Sequence, residues 1–172
     1  MIKRTLTRKL LDSAHKYPVV FITGPRQSGK TTLARMSFPK YGYVSLEDLD
    51  KRQFALDDPR GFLATYHSNT IFDEIQRVPE LLSYIQTEVD LDDTAGRFIL
   101  TGSQQFLLME KVGQTLAGRV ALLHLLPFSL SELTGTTPAD PFRFEETTRE
   151  RKKPGYSLEQ ILYQGLYPRI YD

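Results

Sequence analysis

The 172-residue chain contains no cysteine and no tryptophan. Without thiols there is no disulfide framework, and neither a zinc nor an iron–sulfur centre can be built on cysteine ligands. The three histidines, His15, His67 and His124, lie far apart, without the spacing of a metal-ligand set. A thiol-free chain long enough to bury a core without staples points to a reducing, cytosolic setting. An excess of one charge is missing as well. The 22 Lys and Arg residues stand against 21 Asp and Glu, a formal net charge of +1, so no overall field draws the protein to nucleic acid or to an anionic membrane. The basic opening, MIKRTLTRKLLDSAHKYP, is not followed by the apolar stretch of a secretory signal. No run elsewhere approaches the ~20 apolar residues of a bilayer-spanning helix, so no membrane partner is expected.

What the chain does have is alternation. Five short apolar runs, PVVFIT (Pro18 to Thr23), YGYVSL (Tyr41 to Leu46), TIFD (Thr70 to Asp73), RFILT (Arg97 to Thr101) and VALLHLL (Val120 to Leu126), read as strands buried on both faces. Helical stretches separate them: Lys30 to Phe38, one or two short helices between Asp48 and Tyr66, Pro79 to Val89, and Gln104 to Lys111. An amphipathic helix precedes the first strand, with Ile2, Leu6, Leu10 and Ala14 inward and Lys3, Arg4, Arg8 and Lys9 in solvent. The pattern predicts an α/β fold with a parallel sheet and helices on both faces. Beyond Leu133 the composition changes. Residues 134–156 are polar, proline-punctuated and charge-mixed, which predicts a linker. Ser157, Gln160 and Gly165 then bracket a short helix, and residues 157–172 read as the start of a second, truncated domain following a first domain at 1–133.

The first strand runs into GPRQSGKT, which satisfies the P-loop pattern G-x-x-x-x-G-K-S/T. Gly24 and Gly29 allow the tight backbone that turns successive N–H groups onto phosphate oxygens. Lys30 reaches the β- and γ-phosphates as a point charge, and the Thr31 hydroxyl ligates Mg²⁺. Residues Gly24, Pro25, Arg26, Gln27, Ser28, Gly29, Lys30, Thr31 and Thr32 are therefore the candidate nucleotide-binding set. The strand before the motif and the helix after it are the context this mechanism requires.

The loop alone does not choose between kinase, GTPase and ATPase. The third strand ends in Asp73 and Glu74, where an aspartate can hold Mg²⁺ and the adjacent glutamate can polarise an attacking water. That pair favours hydrolysis over transfer to a small acceptor, which stays as the last-ranked alternative. A guanine-reading Asn-Lys-x-Asp tetrad is absent from the sequence. At the tip of the fourth strand, Ser103 is the first candidate for a γ-phosphate or water contact and Thr101 the second, against a helix N-cap or an ordinary strand-end hydroxyl. Arg119, at the start of the fifth strand, is a candidate phosphate sensor in cis or arginine finger in trans, against a surface arginine; Arg26 and Arg77 are weaker versions of the same idea.

Taken in order, GPRQSGKTTL, YVSLEDLDKR, DDPRGFL, FDEIQRVPELL, RFILTGSQQFLL, LAGRVALLHLLPFSLSEL and YQGLYPRI resemble the bacterial and archaeal AAA-type P-loop ATPases in which an ATPase domain precedes a poorly characterised C-terminal domain. The resemblance implies a AAA+ core with five strands in the order 5-1-4-3-2, ATP and Mg²⁺ as ligands, and a prokaryotic setting. It carries Walker A onto Gly24, Gly29, Lys30 and Thr31, Walker B onto Asp73 and Glu74, sensor 1 onto Ser103, and the arginine of LAGR onto Arg119. The usual Gly-Gly-Tyr-Pro is here Gly165-Leu166-Tyr167-Pro168. The expected function is Mg·ATP binding with hydrolysis driving a conformational switch, the alternative being a nucleotide-dependent binding module with little turnover alone. A second copy of the chain is one candidate partner. A protein or nucleic acid reached through the further domain is another.

Overall fold

Strands made of consecutive β-branched and aromatic residues have no polar face to offer water, so they must be covered on both sides. In the computed structural model, which describes residues 2–103, 106–136, 155 and 157–171, this is how the centre of the sheet is built. The strands are β1 (Val19–Gly24), β2 (Gly42–Ser45), β3 (Thr70–Asp73), β4 (Phe98–Ser103) and β5 (Val120–His124). They form one sheet in the order β2-β3-β4-β1-β5, with every pairing parallel. This is the order the resemblance implies, read from the opposite edge.

Successive side chains of a strand point to opposite faces, and β1 separates two cores accordingly. On one face Val20 and Ile22 pack with Ile71, Ile99 and Leu123, and are covered by Leu10 and Ala14 of α1 (Leu6–Ala14) and Leu33 and Ala34 of α2 (Lys30–Ser37). On the other, Val19 and Phe21 join Phe72, Phe98 and Leu100 under α3 (Leu49–Asp57), α4 (Pro59–Thr65) and α5 (Leu81–Leu91). Val19, Val20, Phe21 and Ile22 are fully buried; burial of one such side chain stabilises by ~1.5–3 kcal/mol. The buried face of α5 is Leu81, Leu82, Ile85 and Val89, apolar residues at helical spacing. The helix begins two residues after Pro79, which with Glu80 forms the turn leading into it. Where one or two short helices are expected between Asp48 and Tyr66 there are two, α3 and α4, each N-capped by an aspartate side chain, Asp48 and Asp58.

Burial on both faces fails at the sheet margins. In β5, Ala121 and Leu123 are buried while Leu122 is 50% exposed, and in β2 only Val44 is buried. These are the outer strands of the sheet, where α1 covers one side of β5. A second expectation is overturned at the opening segment. Arg4 lies before α1 rather than on it, and its guanidinium is turned inward with only 10% of the side chain exposed. After β4 come α6 (Phe106–Thr115) and, beyond β5, α7 (Leu130–Thr134). Most of the stretch read as a linker lies outside the described residues. The helix α8 (Leu158–Gln164) follows with the anticipated Ser157–Gln160 capping box and Gly165 at its end.

Candidate functional site

All strands of a parallel sheet end on the same edge, and there the loops after β1, β3 and β4 meet. After β1 the backbone turns through Gly24 at φ +154° and Gly29 at φ +90°. A Cβ on Gly24 would lie 2.1 Å from the Leu125 carbonyl oxygen, so glycine is required by space as well as by conformation. Gln27 takes a left-handed φ of 62° without being glycine, a cost of order 1–3 kcal/mol that segments gripping a ligand tolerate. These positive-φ turns are the backbone geometry from which anion nests are built. Lys30 opens α2 and is 5% exposed; its Nζ donates to the carbonyls of Gly24 (3.1 Å) and Pro25 (2.8 Å). Burial pushes its ammonium below the ordinary lysine pKa; the carboxylates of Glu74 and Asp73 oppose that fall and Arg26 adds to it.

The acidic pair stands beside this loop. Thr31 Oγ1 donates to Asp73 Oδ1 at 2.8 Å, which joins the two halves of the expected metal site. Asp73 also accepts from the Tyr43 hydroxyl at 2.9 Å on Oδ2 and from the Thr101 hydroxyl on Oδ1. Its carboxylate is thus held by three hydroxyls from α2, β2 and β4. Burial raises the Tyr43 phenol to a pKa of about 12, assisted by the charge and hydrogen bond of Asp73 and resisted by Ser45 and Arg35. Among the described residues no cluster of three His, Asp or Glu side chains could cage a metal by itself. One carboxylate and one hydroxyl suit a hard cation that takes its other oxygens from phosphate and water, as Mg²⁺ does.

Glu74 adopts φ 59° and starts a short 3₁₀ turn, Ile75–Arg77. Its N–H donates to Thr101 Oγ1 at 3.3 Å, and its carboxylate accepts from the Gln76 amide. Gln76 Oε1 in turn accepts from the Ser103 N–H at 3.3 Å. Ser103 sits opposite Gly24 in the β1–β4 register, and its Oγ is buried without a hydrogen-bond partner, as is that of Ser28 within the loop. A buried, unspent hydroxyl next to a loop of this geometry is a fitting donor to an incoming oxygen. Thr101, the second candidate, serves instead as the shared anchor of Asp73 and Glu74.

A cleft of about 540 Å³ lies between the loop and the acidic strand end. Arg26, Gln27, Gly29, Lys30, Thr31 and Thr32 form one wall, Glu47, Glu74 and Arg77 another, and Pro168 and Arg169 a third. Four cations against two carboxylates in this lining favour an anion with several negative charges. Arg119 is not brought here. It precedes β5 at the opposite edge of the sheet, where its carbonyl accepts from Val19 N–H and its guanidinium pairs with Asp90. A cis contact with this cleft is excluded by that position. Sequence reasoning missed Tyr43, Gln76 and the inward Arg4, and it placed Arg169 in a separate domain. The spacing of residues along the chain carries no signal for Tyr43 or Gln76; only the pairing of Ser45 with Asp73 in the β2–β3 register shows that Tyr43 can reach the carboxylate.

A strand, a glycine-turned loop leading into a helix, and an aspartate at the end of β3, separated from β1 by β4, define a P-loop nucleoside-triphosphatase fold. The chain belongs to the AAA domain family, whose model matches residues 16–134. It is 33% identical over 141 residues to uncharacterised proteins of Mycobacterium tuberculosis and Mycobacterium bovis; the match covers 80% of this chain and 31% of theirs. The chain thus spans about a third of the length of these curated relatives. Among solved structures, a Walker-type ATPase of Pyrococcus abyssi aligns with TM-score 0.57 at 19% identity over 78% of this chain and 56% of its own. AMPPCP-bound DnaA from Aquifex aeolicus aligns with TM-score 0.56 at 15% identity, covering 96% of this chain and 56% of its own. These two likenesses establish the fold. Among the described residues no helix is long and apolar enough to cross a membrane.

Proposed function

We propose that the chain binds Mg·ATP in the cleft and hydrolyses it to ADP and phosphate. The observation that carries this reading is the Thr31–Asp73 hydrogen bond of 2.8 Å, which sets a metal-ligand pair beside a glycine-turned loop and a buried lysine. The loop N–H groups and Lys30 would hold the phosphates, Thr31 and Asp73 the metal, and Ser103 Oγ an incoming oxygen. Bound Mg²⁺ supplies neutralisation of the charge on the phosphate oxygens. Glu74, fixed through its backbone by Thr101, is the base that accepts a proton from water. Hydrolysis of this kind drives a switch between conformations rather than producing a metabolite. Lys30→Ala should abolish ATP binding measured by equilibrium titration. Glu74→Gln should preserve binding and stop phosphate release; unchanged release would remove Glu74 from the role of base.

A second reading, a nucleotide-dependent binding module with little turnover alone, is favoured by the hold of Gln76 on the Glu74 carboxylate. It is favoured also by Arg119, which lies where only a second copy of the chain could bring it to a nucleotide. In that reading a homo-oligomer completes the site, and a protein or nucleic-acid partner is engaged by segments beyond the AAA domain.

A further inference from the structure

Arg4 spends its guanidinium on three separate parts of the fold: the phosphate loop, the segment after β5 and α7. Nη1 donates to the Ser28 carbonyl of the phosphate loop at 2.8 Å, Nη2 to the carbonyls of Leu126 and Pro127 after β5, and Nε to Glu132 Oε1 of α7 at 3.3 Å. Its flat face rests on the Phe128 ring, 4.7 Å from the centroid. Glu132 is itself fixed, since Oε1 accepts from the Thr5 N–H at 2.7 Å and Oε2 from the Ser129 N–H at 3.0 Å. Its carboxyl stays below the usual glutamate pKa; burial opposes that fall, and the two N–H groups and Arg4 outweigh it.

Two consequences follow from geometry. The Ser28 carbonyl and the Gly29 N–H belong to one trans peptide, so they point in opposite directions. A guanidinium that holds the carbonyl therefore also fixes the direction of the Gly29 N–H. Phe128, on which Arg4 rests, also holds the C-terminal segment: its N–H donates to the Leu166 carbonyl at 2.7 Å and its ring meets Tyr171 edge to face at 6.3 Å. That segment leans on the same glycine, because a Cβ on Gly29 would lie 3.5 Å from both Arg4 Nη1 and Pro168 Cγ.

We infer that Arg4 is a positioning residue that presets the phosphate loop and, through Phe128, makes triphosphate affinity depend on the docking of residues 165–171. The inference rests on reading the cleft as a nucleoside-triphosphate site. By linkage, nucleotide in the cleft tightens that docking to the same extent. Arg4 and residues 165–171 fall outside the matched residues 16–134, whereas Ser28, Phe128 and Glu132, to which they attach, fall inside them.

ATP affinity of the full chain, measured by competition with a fluorescent ATP analogue, tests this in four proteins: wild type, Arg4→Lys, Tyr171→Leu and the double substitution. Lysine keeps the charge but loses the fork that reaches several carbonyls at once. Each single substitution should weaken binding about tenfold, and the double should be no weaker than the worse single, because both break one path. A merely structural loss lowers the fraction of chains that bind, not the affinity of the remainder. Unchanged affinity in the single variants, or losses that multiply in the double, would overturn the coupling. Should Arg4→Lys yield too little folded protein, Phe128→Leu takes its place in the cycle with the same expectation. Failure of the wild type itself to bind ATP would overturn the reading of the cleft, and the coupling with it.

Discussion

A carboxylate that accepts three hydroxyl hydrogen bonds is fixed in position, and Asp73 is such a group. Burial foremost, and then the charge and hydrogen bond of Asp73, hold the proton on Tyr43 up to a pKa of about 12. Because this folded value lies above the ordinary ~10, the contribution of Tyr43 to stability is complete below pH ~10 and is lost as pH rises toward 12. Denaturant unfolding between pH 9 and 11.5 should show a decline in stability that is shallower in Tyr43→Phe. An identical decline in both proteins would dissociate Tyr43 from Asp73. At this scale the legible residues were those whose chemistry dictates spacing along the chain: Gly24, Gly29, Lys30, Thr31 and the Asp73–Glu74 pair. Tyr43, Thr101 and Gln76 act through lateral strand register and a left-handed turn at Glu74, neither of which a single chain's pattern of apolar residues records.

Among the elements, periodicity was sufficient wherever burial was complete. The inward faces of α1 and α5 and the central strands β1, β3 and β4 stand as their apolar spacing predicts, since only one orientation removes those side chains from water. It failed in β5, where a continuous apolar run occupies the sheet's edge. It also gave no hint of how α5 is tied to the sheet. Arg97, 7% exposed at the entry to β4, donates to the Glu88 and Asp92 carbonyls at the end of α5, to the His67 carbonyl, and to Glu88 Oε2 at 2.8 Å. Removing it strands those acceptors together with a partly buried carboxylate. Arg97→Ala should therefore cost about 3 kcal/mol, read as a lowered denaturant midpoint with unchanged slope. A loss under ~0.5 kcal/mol would mark the cluster as a surface ornament.

Across the whole molecule the two ends of the sheet are specialised. The carboxyl edge gathers the phosphate loop, the acidic pair and the C-terminal segment, while the amino edge presents Arg119 paired with Asp90. In the reading that requires a second copy, phosphate release per chain should rise with protein concentration. Arg119→Ala should remove that rise without altering ATP affinity; concentration-independent turnover would confine catalysis to one chain. The segment expected to begin a separate domain instead contributes Pro168 and Arg169 to the cleft, a placement that composition could not reveal because it depends on a contact across more than a hundred residues of chain. One feature of the core bears on how such changes can be followed. Phe54, Phe62, Tyr66, Phe72 and Phe98 form a continuous file of rings at fixed tilts, ending on the strands that precede Asp73 and Ser103. With no tryptophan in the chain, the chiral absorption of the near ultraviolet comes from its tyrosines and phenylalanines, these packed rings among them. The file contributes a built-in optical signal of whether β3 and β4 are packed, readable without a label.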